Sequence, residues 1–498
     1  MRRLHTGIGI LALLTILLAG CASSSTSTAK TPTLSTSSPT TDAGGSNVDW
    51  PVFGFDSARS SVNPHETALT PQTVGGLHRL WSATLPDVAD GSPVYLHGLK
   101  LADGTTADVL YVTTRDGHLV AMNAANGRVL WSVQNKGVRY TTSSPAIDPS
   151  RAHIYSYGLD GTLRKFNAVS GAEVTSGGWP IRITTMPNTE KESSPLNIGN
   201  GRVYVTTAGY PGDAPPYQGH VVGARLDTGA EQVFNSLCSD KSHVLNDGEC
   251  ASNQSGIWAR GGAVIEPGTG DIYVTTGNGN FNGRTDWGDS VIKLSADGLH
   301  VLDSYTPTNQ QSLNETDADL GSATAGILPD IPNSRTPHLL IQGGKDQKLR
   351  LINRDNMSGQ GGPGHLGGEL ALLDWPGCQL FTHPVSWKEG DTVWVTLAGT
   401  CGMATYQVTS DGAGRVTLHG VWQNRTNFTT PVLAGGVLFA ATNGAVVALD
   451  PHTGQRLWSS AATSAGGSIG GIHWESLIVV NGRVYIPDEN GKLTAYGL

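Results

Sequence analysis

The chain has 498 residues, 65 of them Gly and 26 Pro, with only 15% charged side chains and a formal net charge of −9. Gly and Pro together lie well above the roughly 12% of an average protein, which excludes a coiled coil or helical solenoid, while 12 Trp, 13 Tyr and 8 Phe exclude global disorder. No basic patch accompanies the acidic balance, so nucleic acid is not an expected partner, and what remains is a large, turn-rich, all-β protein.

The first elements are an address and a spacer. Met1-Arg2-Arg3 followed by a mostly apolar stretch to residue 19 has the n-region and h-region of a secretory signal. It ends in Leu18-Ala19-Gly20-Cys21, which resembles the bacterial lipobox. That resemblance implies cleavage before Cys21, a lipid on its sulfur, and an extracytoplasmic protein tethered to a bacterial membrane by the lipid anchor. In residues 23–41, 14 of 19 are Ser or Thr, too polar to offset the entropy of ordering. The expected organisation is a signal peptide (1–20), a Ser/Thr-rich tether (21–48) and one folded body (49–498).

That body is a repeat. A strand introduced by Ser-Pro or a similar pair leads to a Gly turn, an alternating strand, another Gly turn, a third strand, a Thr-Gly or Asn-Gly turn and a closing Trp. One copy runs from Ser92-Pro93 through Tyr111-Val112, Asp116-Gly117 and Asn126-Gly127 to Trp131. Others begin at Ser144-Pro145, Ser194-Pro195, near Gly262-Ala263, near Gly321-Ser322, at His383-Pro384, at Thr430-Pro431 and at Trp474-Glu475-Ser476. Their spacing suits four-stranded propeller blades, and eight are counted. The last has no closing Trp strand of its own, because the chain stops at Leu498, and residues 77–81, ending in Trp81, look like that strand supplied from the N-terminal side. The expected fold is an all-β, eight-bladed β-propeller closed by an N-terminal strand.

Cys238, Cys250, Cys378 and Cys401 form an even set, which in an oxidising compartment suggests two disulfides. Loop closure favours Cys238–Cys250 and Cys378–Cys401 among three possible pairings. A zinc site is the competing reading, though no CxxC spacing exists. CxxCH is also absent, so no covalent haem is expected.

The "ALDPHTGQRLW" of residues 448–458 and the "MNAANGRVLW" of residues 122–131 resemble the pyrroloquinoline quinone (PQQ) repeat superfamily, in which each Trp docks between neighbouring blades. That superfamily holds both quinoprotein dehydrogenases and cofactor-free scaffolds, so fold alone does not settle function. Within residues 255–289, Trp258, the run Ile265-Glu266-Pro267-Gly268-Thr269-Gly270-Asp271 and Gly277-Asn278-Gly279 resemble a quinoprotein alcohol dehydrogenase stretch. The resemblance implies Trp258 as the floor under a flat quinone and Asn278 as a Ca²⁺ ligand. An indole face and an amide oxygen suit those roles. The competing reading is a docking Trp and a tight turn.

Gly288-Asp289 resembles the family's base site, making Asp289 a candidate base and metal ligand with Asp286 as the alternate; a surface carboxylate is the bland alternative. Lys345, in Gln342-Gly343-Gly344-Lys345-Asp346, resembles the cation that contacts quinone oxygens, against a simple rim lysine. His473-Trp474 resembles a pair that touches the cofactor in later blades, against inter-blade packing. The family's calcium-binding Glu has no clear equivalent, and Asp213 stands only approximately in its place. The acidic residues 315–319 could bind a cation, though an ordinary solvated loop is the favoured reading.

Two functions therefore compete. One is a PQQ- and Ca²⁺-dependent dehydrogenase acting on a small-molecule alcohol or sugar. The other is a cofactor-free propeller whose partner is an envelope protein, similar to the lipoprotein that assists outer-membrane barrel assembly.

Overall fold

The computed structural model describes residues 47–498; the signal segment, Cys21 and nearly all of the tether lie outside the described residues. Eight four-stranded antiparallel sheets follow one another along the chain and make an all-β, eight-bladed propeller. Blade one comprises Val94–Lys100, Thr106–Thr113, His118–Asn123 and Val129–Gln134, and blade two Ala146–Ile147, His153–Gly158, Thr162–Asn167 and Ile181–Arg182. Blade three is Asn197–Gly199, Arg202–Gly209, His220–Arg225 and Glu231–Asn235, with the extra strand Glu190–Glu192 paired to Thr207, Ala208 and Gly209. Blade four is Val264–Ile265, Ile272–Thr275, Val291–Leu294 and Val301–Tyr305; blade five is Gly326–Ile327, Leu339–Gln342, Lys348–Asn353 and Ala371–Asp374. Blade six is Val385–Glu389, Thr392–Gly399, Gly402–Ser410 and Val416–Asn424. Blade seven is Val432–Ala434, Val437–Thr442, Ala445–Leu449 and Arg456–Ser459.

Blade eight takes Ile478–Val480, Arg483–Asp488 and Lys492–Gly497 from the C-terminus and its fourth strand, His78–Thr84, from the N-terminal side. This is the closure expected from the orphan Trp81 strand, and it pairs the last strand with one that precedes blade one in the chain. Val62–Asn63 adds a short parallel strand to blade seven.

The strand sequences follow their places. Middle strands such as Val437–Thr442 are apolar on both faces and buried, because each blade is covered by a neighbour on either side. Fourth strands such as Val129–Gln134 and His78–Thr84 alternate between exposed and half-buried residues. First strands of successive blades touch one another, as Ala146–Ile147 with Asn197–Gly199 and Val432–Ala434 with Ile478–Val480, so they line the middle of the ring.

The repeated Trp and Gly are two halves of one joint. Trp81, Trp131 and Trp422 donate their indole N–H to Ala124, Ala168 and Pro451 carbonyls of the following blade at 3.1, 3.2 and 2.9 Å. Each ring lies on the glycine of that blade's turn. A methyl on Gly127, Gly171 or Gly454 would come within 2.6–2.7 Å of the indole, and all three have positive φ. Glycine is required there on both counts.

Both disulfides form in the pairing that loop closure favours: Cys238–Cys250 with Cα atoms 6.0 Å apart and Cys378–Cys401 at 5.5 Å. Zinc ligation by these cysteines is thereby excluded. No helix among the described residues is long and apolar enough to cross a membrane.

Candidate functional site

A cavity of about 400 Å³ opens among loops from blades one, two, three, four, five and eight. Six residues singled out from the sequence line it: Asp213, Trp258, Asn278, Lys345, His473 and Trp474. They come from five separate connections. Asp213 lies between the second and third strands of blade three, and Trp258 on the approach to blade four. Asn278 and Lys345 follow the second strands of blades four and five, and His473-Trp474 precedes blade eight. Equivalent turns of successive blades face the same end of a propeller, which is why residues so distant in sequence meet.

Trp258, Phe381 and Trp474 form an aromatic corner, with ring centroids 5.5–6.1 Å apart. Such tilted and edge-on contacts fix the ring planes. The Lys345 ammonium lies 5.6 Å from the centroid of the Trp258 ring. Lys345 Nζ also bridges Asp319 Oδ2 at 2.6 Å and Asp317 Oδ1 at 3.0 Å. Burial opposes its charge, but the two carboxylates outweigh burial and hold the pKa of Lys345 above its ordinary value.

Asp319 is the buried one of the two carboxylates on this wall. Its Oδ1 accepts the Asn278 N–H at 2.6 Å, and burial raises its pKa against the pull of Lys345. Asn278 Nδ2 donates to Asp317 Oδ1 at 3.0 Å, which leaves Asn278 Oδ1 buried without a donor. Gly277 makes this packing possible: a methyl there would stand 2.8 Å from Asp319 Oδ1 and 3.1 Å from Trp258 Nε1. The sequence favours a solvated loop over a cation site at residues 315–319, yet Asp319 is 6% exposed and lines the cavity. The only signal was the Asp317-Ala318-Asp319 spacing, which looks the same in a surface loop.

Asp289 and Asp286 do not line the cavity. Asp289 is fully buried, its Oδ1 accepts the Leu320 N–H at 3.1 Å, and its Oδ2 has no partner. Burial pushes this carboxyl up to about 8. Asp286 is held by Asn280 Nδ2 at 2.6 Å and by the Cys238 N–H at 3.1 Å, beside the first disulfide. The turn at residues 288–289 tucks under the Asp319 loop, so the side chain expected to be the base faces backbone rather than the channel. Asp213 does reach the cavity, where its Oδ1 accepts the Tyr217 hydroxyl at 2.8 Å.

His473 and Trp474 are held by Asp90, whose carboxylate meets His473 Nδ1 at 3.1 Å and accepts the Trp474 N–H at 3.1 Å. Asp90, His473 and Glu489 place ligand-type atoms within 4.8 Å of one another. Arg115 reaches Asp90 at 3.2 Å and Glu489 at 3.4 Å, so this cluster already contains its cation.

The model of the family described as outer membrane protein assembly factor BamB matches residues 77–291 and 385–497. The outer membrane protein assembly factor BamB of Yersinia pestis is 25% identical over 335 residues, covering 63% of this chain and 71% of that protein. Among solved structures, the quinohemoprotein alcohol dehydrogenase ADHIIG of Pseudomonas putida HK5 is similar with a TM-score of 0.63 at 14% identity, over 90% of this chain and 80% of that one. A europium-containing methanol dehydrogenase gives a TM-score of 0.65 at 13% identity, over 90% and 98%. BamB from Moraxella catarrhalis gives 0.50 at 14%, over 85% and 100%. At these identities the structural likeness is one of fold.

Proposed function

This chain belongs to the family described as outer membrane protein assembly factor BamB. From the residues gathered on its cavity, we propose that it is an exported, lipid-anchored propeller that binds PQQ and Ca²⁺ there and oxidises an alcohol or sugar. The observation that carries this reading is the meeting of Trp258, Asn278, Lys345, His473 and Trp474 on one cavity. Trp258 offers stacking area to a flat ring system, and Lys345 sets a cation above the same indole. The buried, unpartnered Asn278 Oδ1 is a hard-oxygen atom that suits a divalent cation, while Asp317 and Asp319 beside it are already paired with Lys345. PQQ, when bound, supplies the two-electron acceptor. Asp319 takes the base role expected of Asp289: it lies on the cavity wall and is positioned by Lys345 and the Asn278 N–H to receive a substrate hydroxyl proton.

The second reading, a cofactor-free envelope scaffold, is favoured by the family match and by the burial of Asp289 away from the cavity. Titration of the purified protein with PQQ, with and without Ca²⁺, separates the two. Stoichiometric binding that Trp258→Ala weakens, with dye-linked alcohol oxidation lost in Asp319→Asn while binding is retained, supports the dehydrogenase. Absence of binding overturns it in favour of the scaffold.

A further inference from the structure

The cavity wall formed by blades two and three and the loop entering blade four carries charge of a different kind. In the strand Glu190–Glu192 the two glutamates turn inward: Glu190 Oε2 accepts the Gln218 N–H at 2.8 Å, and Glu192 Oε1 accepts the Ser143 hydroxyl at 2.6 Å. Lys191, between them, points the other way and lines the cavity. Its Nζ donates to the hydroxyls of Thr142 and Ser193, both at 3.1 Å. Arg260, two residues beyond Trp258, donates from one terminal nitrogen to the Thr142 carbonyl at 2.9 Å. The two cations are therefore anchored on the same residue.

Neither has an ion-pair partner; burial pushes the Lys191 ammonium down to about 7, so Arg260 carries the lasting charge at neutral pH. Among the described residues, no carboxylate forms an ion pair with Lys191 or Arg260. Asp90 is committed to Arg115 and His473. Glu192 is buried, and its carboxyl is pushed up to about 8, so at neutral pH it brings little negative charge. Arg260 is only 3% exposed, yet its Nε and its second terminal nitrogen are buried with no acceptor. Arg59, next to it, shows the contrast: its guanidinium is spent on the Phe53, Pro195, Leu196 and Gly261 carbonyls. A buried, unpaired cation with free donors is costly, and an oxyanion meets both deficits at once. Arg260 also borders an adjoining cavity of about 320 Å³, sharing Phe381, His473 and Trp474 with the first.

We propose that Lys191 and Arg260, joined through Thr142, form a carboxylate seat in the channel, so that the ligand of this cavity is an organic acid. The guanidinium fork suits an oxyanion, and the aromatic corner of Trp258, Phe381 and Trp474, which suits a flat carbon body, selects an organic carboxylate over inorganic phosphate. The seat stands whether or not PQQ is that ligand.

The test is calorimetric titration of the full mature protein with isophthalate, a flat dicarboxylate, with inorganic phosphate as the tetrahedral control and PQQ as a separate arm. Saturable 1:1 isophthalate binding, tighter than phosphate, is expected. Arg260→Gln and Lys191→Met should each weaken it roughly 10-fold to 100-fold, and Arg260→Lys should retain part of it. Lys348→Gln, at the half-exposed start of a buried strand of blade five, should change it less than 2-fold. Two variants at separate positions keep the test valid if one fails to fold. Isophthalate binding without PQQ binding removes the quinone reading and leaves the seat standing. PQQ binding that Arg260→Gln and Lys191→Met leave unchanged, no isophthalate binding to the native protein, preference for phosphate, or equal loss in Lys348→Gln each overturns the seat.

Discussion

The two walls of the central cavity hold their charges in opposite ways. On the side of blades four and five, the Lys345 ammonium sits between Asp317 and Asp319, and Asp319 also takes a backbone N–H. On the side of blades two and three, Lys191 and Arg260 are buried against hydroxyls and one carbonyl, without a counter-ion. The first wall has its cation paired already, with only the Asn278 amide oxygen left without a partner. The second is incomplete without a ligand. A charged pocket is thus not one property: a matched cluster positions groups, whereas an unmatched one stores free energy that a complementary ligand releases on binding.

The largest effect should come from unmatching the first wall. Asp319→Ala leaves Lys345 and the Asn278 N–H short of their buried partner, and should cost about 3 kcal/mol of stability in urea unfolding. A loss under about 1 kcal/mol would mean that solvent in the cavity, not Asp319, supports Lys345. Arg260→Met should do the reverse: with no ligand present it removes an uncompensated charge and should raise stability by about 1 kcal/mol, while anion binding is lost. Destabilisation by Arg260→Met in ligand-free protein would show that the second wall is compensated after all.

The smallest effect is a pH dependence. Burial pushes Lys191 down to about 7, below its unfolded value of about 10.4, with Asp90 and Glu192 opposing and Arg115 and Arg260 reinforcing the shift; Tyr140 and Tyr210 enclose the ammonium. Between those pH values the unfolded chain binds more protons, so this group makes stability rise with pH. Glu192, raised to about 8, acts in the opposite sense from about pH 4.5 to 8. The native protein should therefore gain on Lys191→Met as pH climbs from 7.0 to 7.5, by at most about 0.7 kcal/mol. Parallel stability curves for the two proteins would refute an ammonium buried without a counter-ion.

The ring was legible from residues because its joints are local. A Gly turn, a strand and a closing Trp recur at blade spacing, and Trp131 needs only the next blade's Gly171 to dock. Even the borrowed strand could be read, since Trp81 lacked a blade and the last blade lacked a Trp. Trp258, Asn278, Lys345 and His473-Trp474 were reachable through family resemblance, and they line one cavity. Asp319 and Lys191 were not. Each lies among other charges, in residues 315–319 and 190–192, and such runs are usually solvated.

What the sequence determined by itself was periodicity: eight blades, their turn glycines and docking tryptophans, and the strand that closes them, all set by short-range backbone and packing rules. What only the tertiary structure decided was which charges are buried, which are paired and which face the channel. Asp289 turned to a backbone amide, Asp319 came to the wall, and Lys191 met Arg260 on Thr142. Desolvation and pairing depend on neighbours brought from other blades, and those distances exist only once the ring has closed.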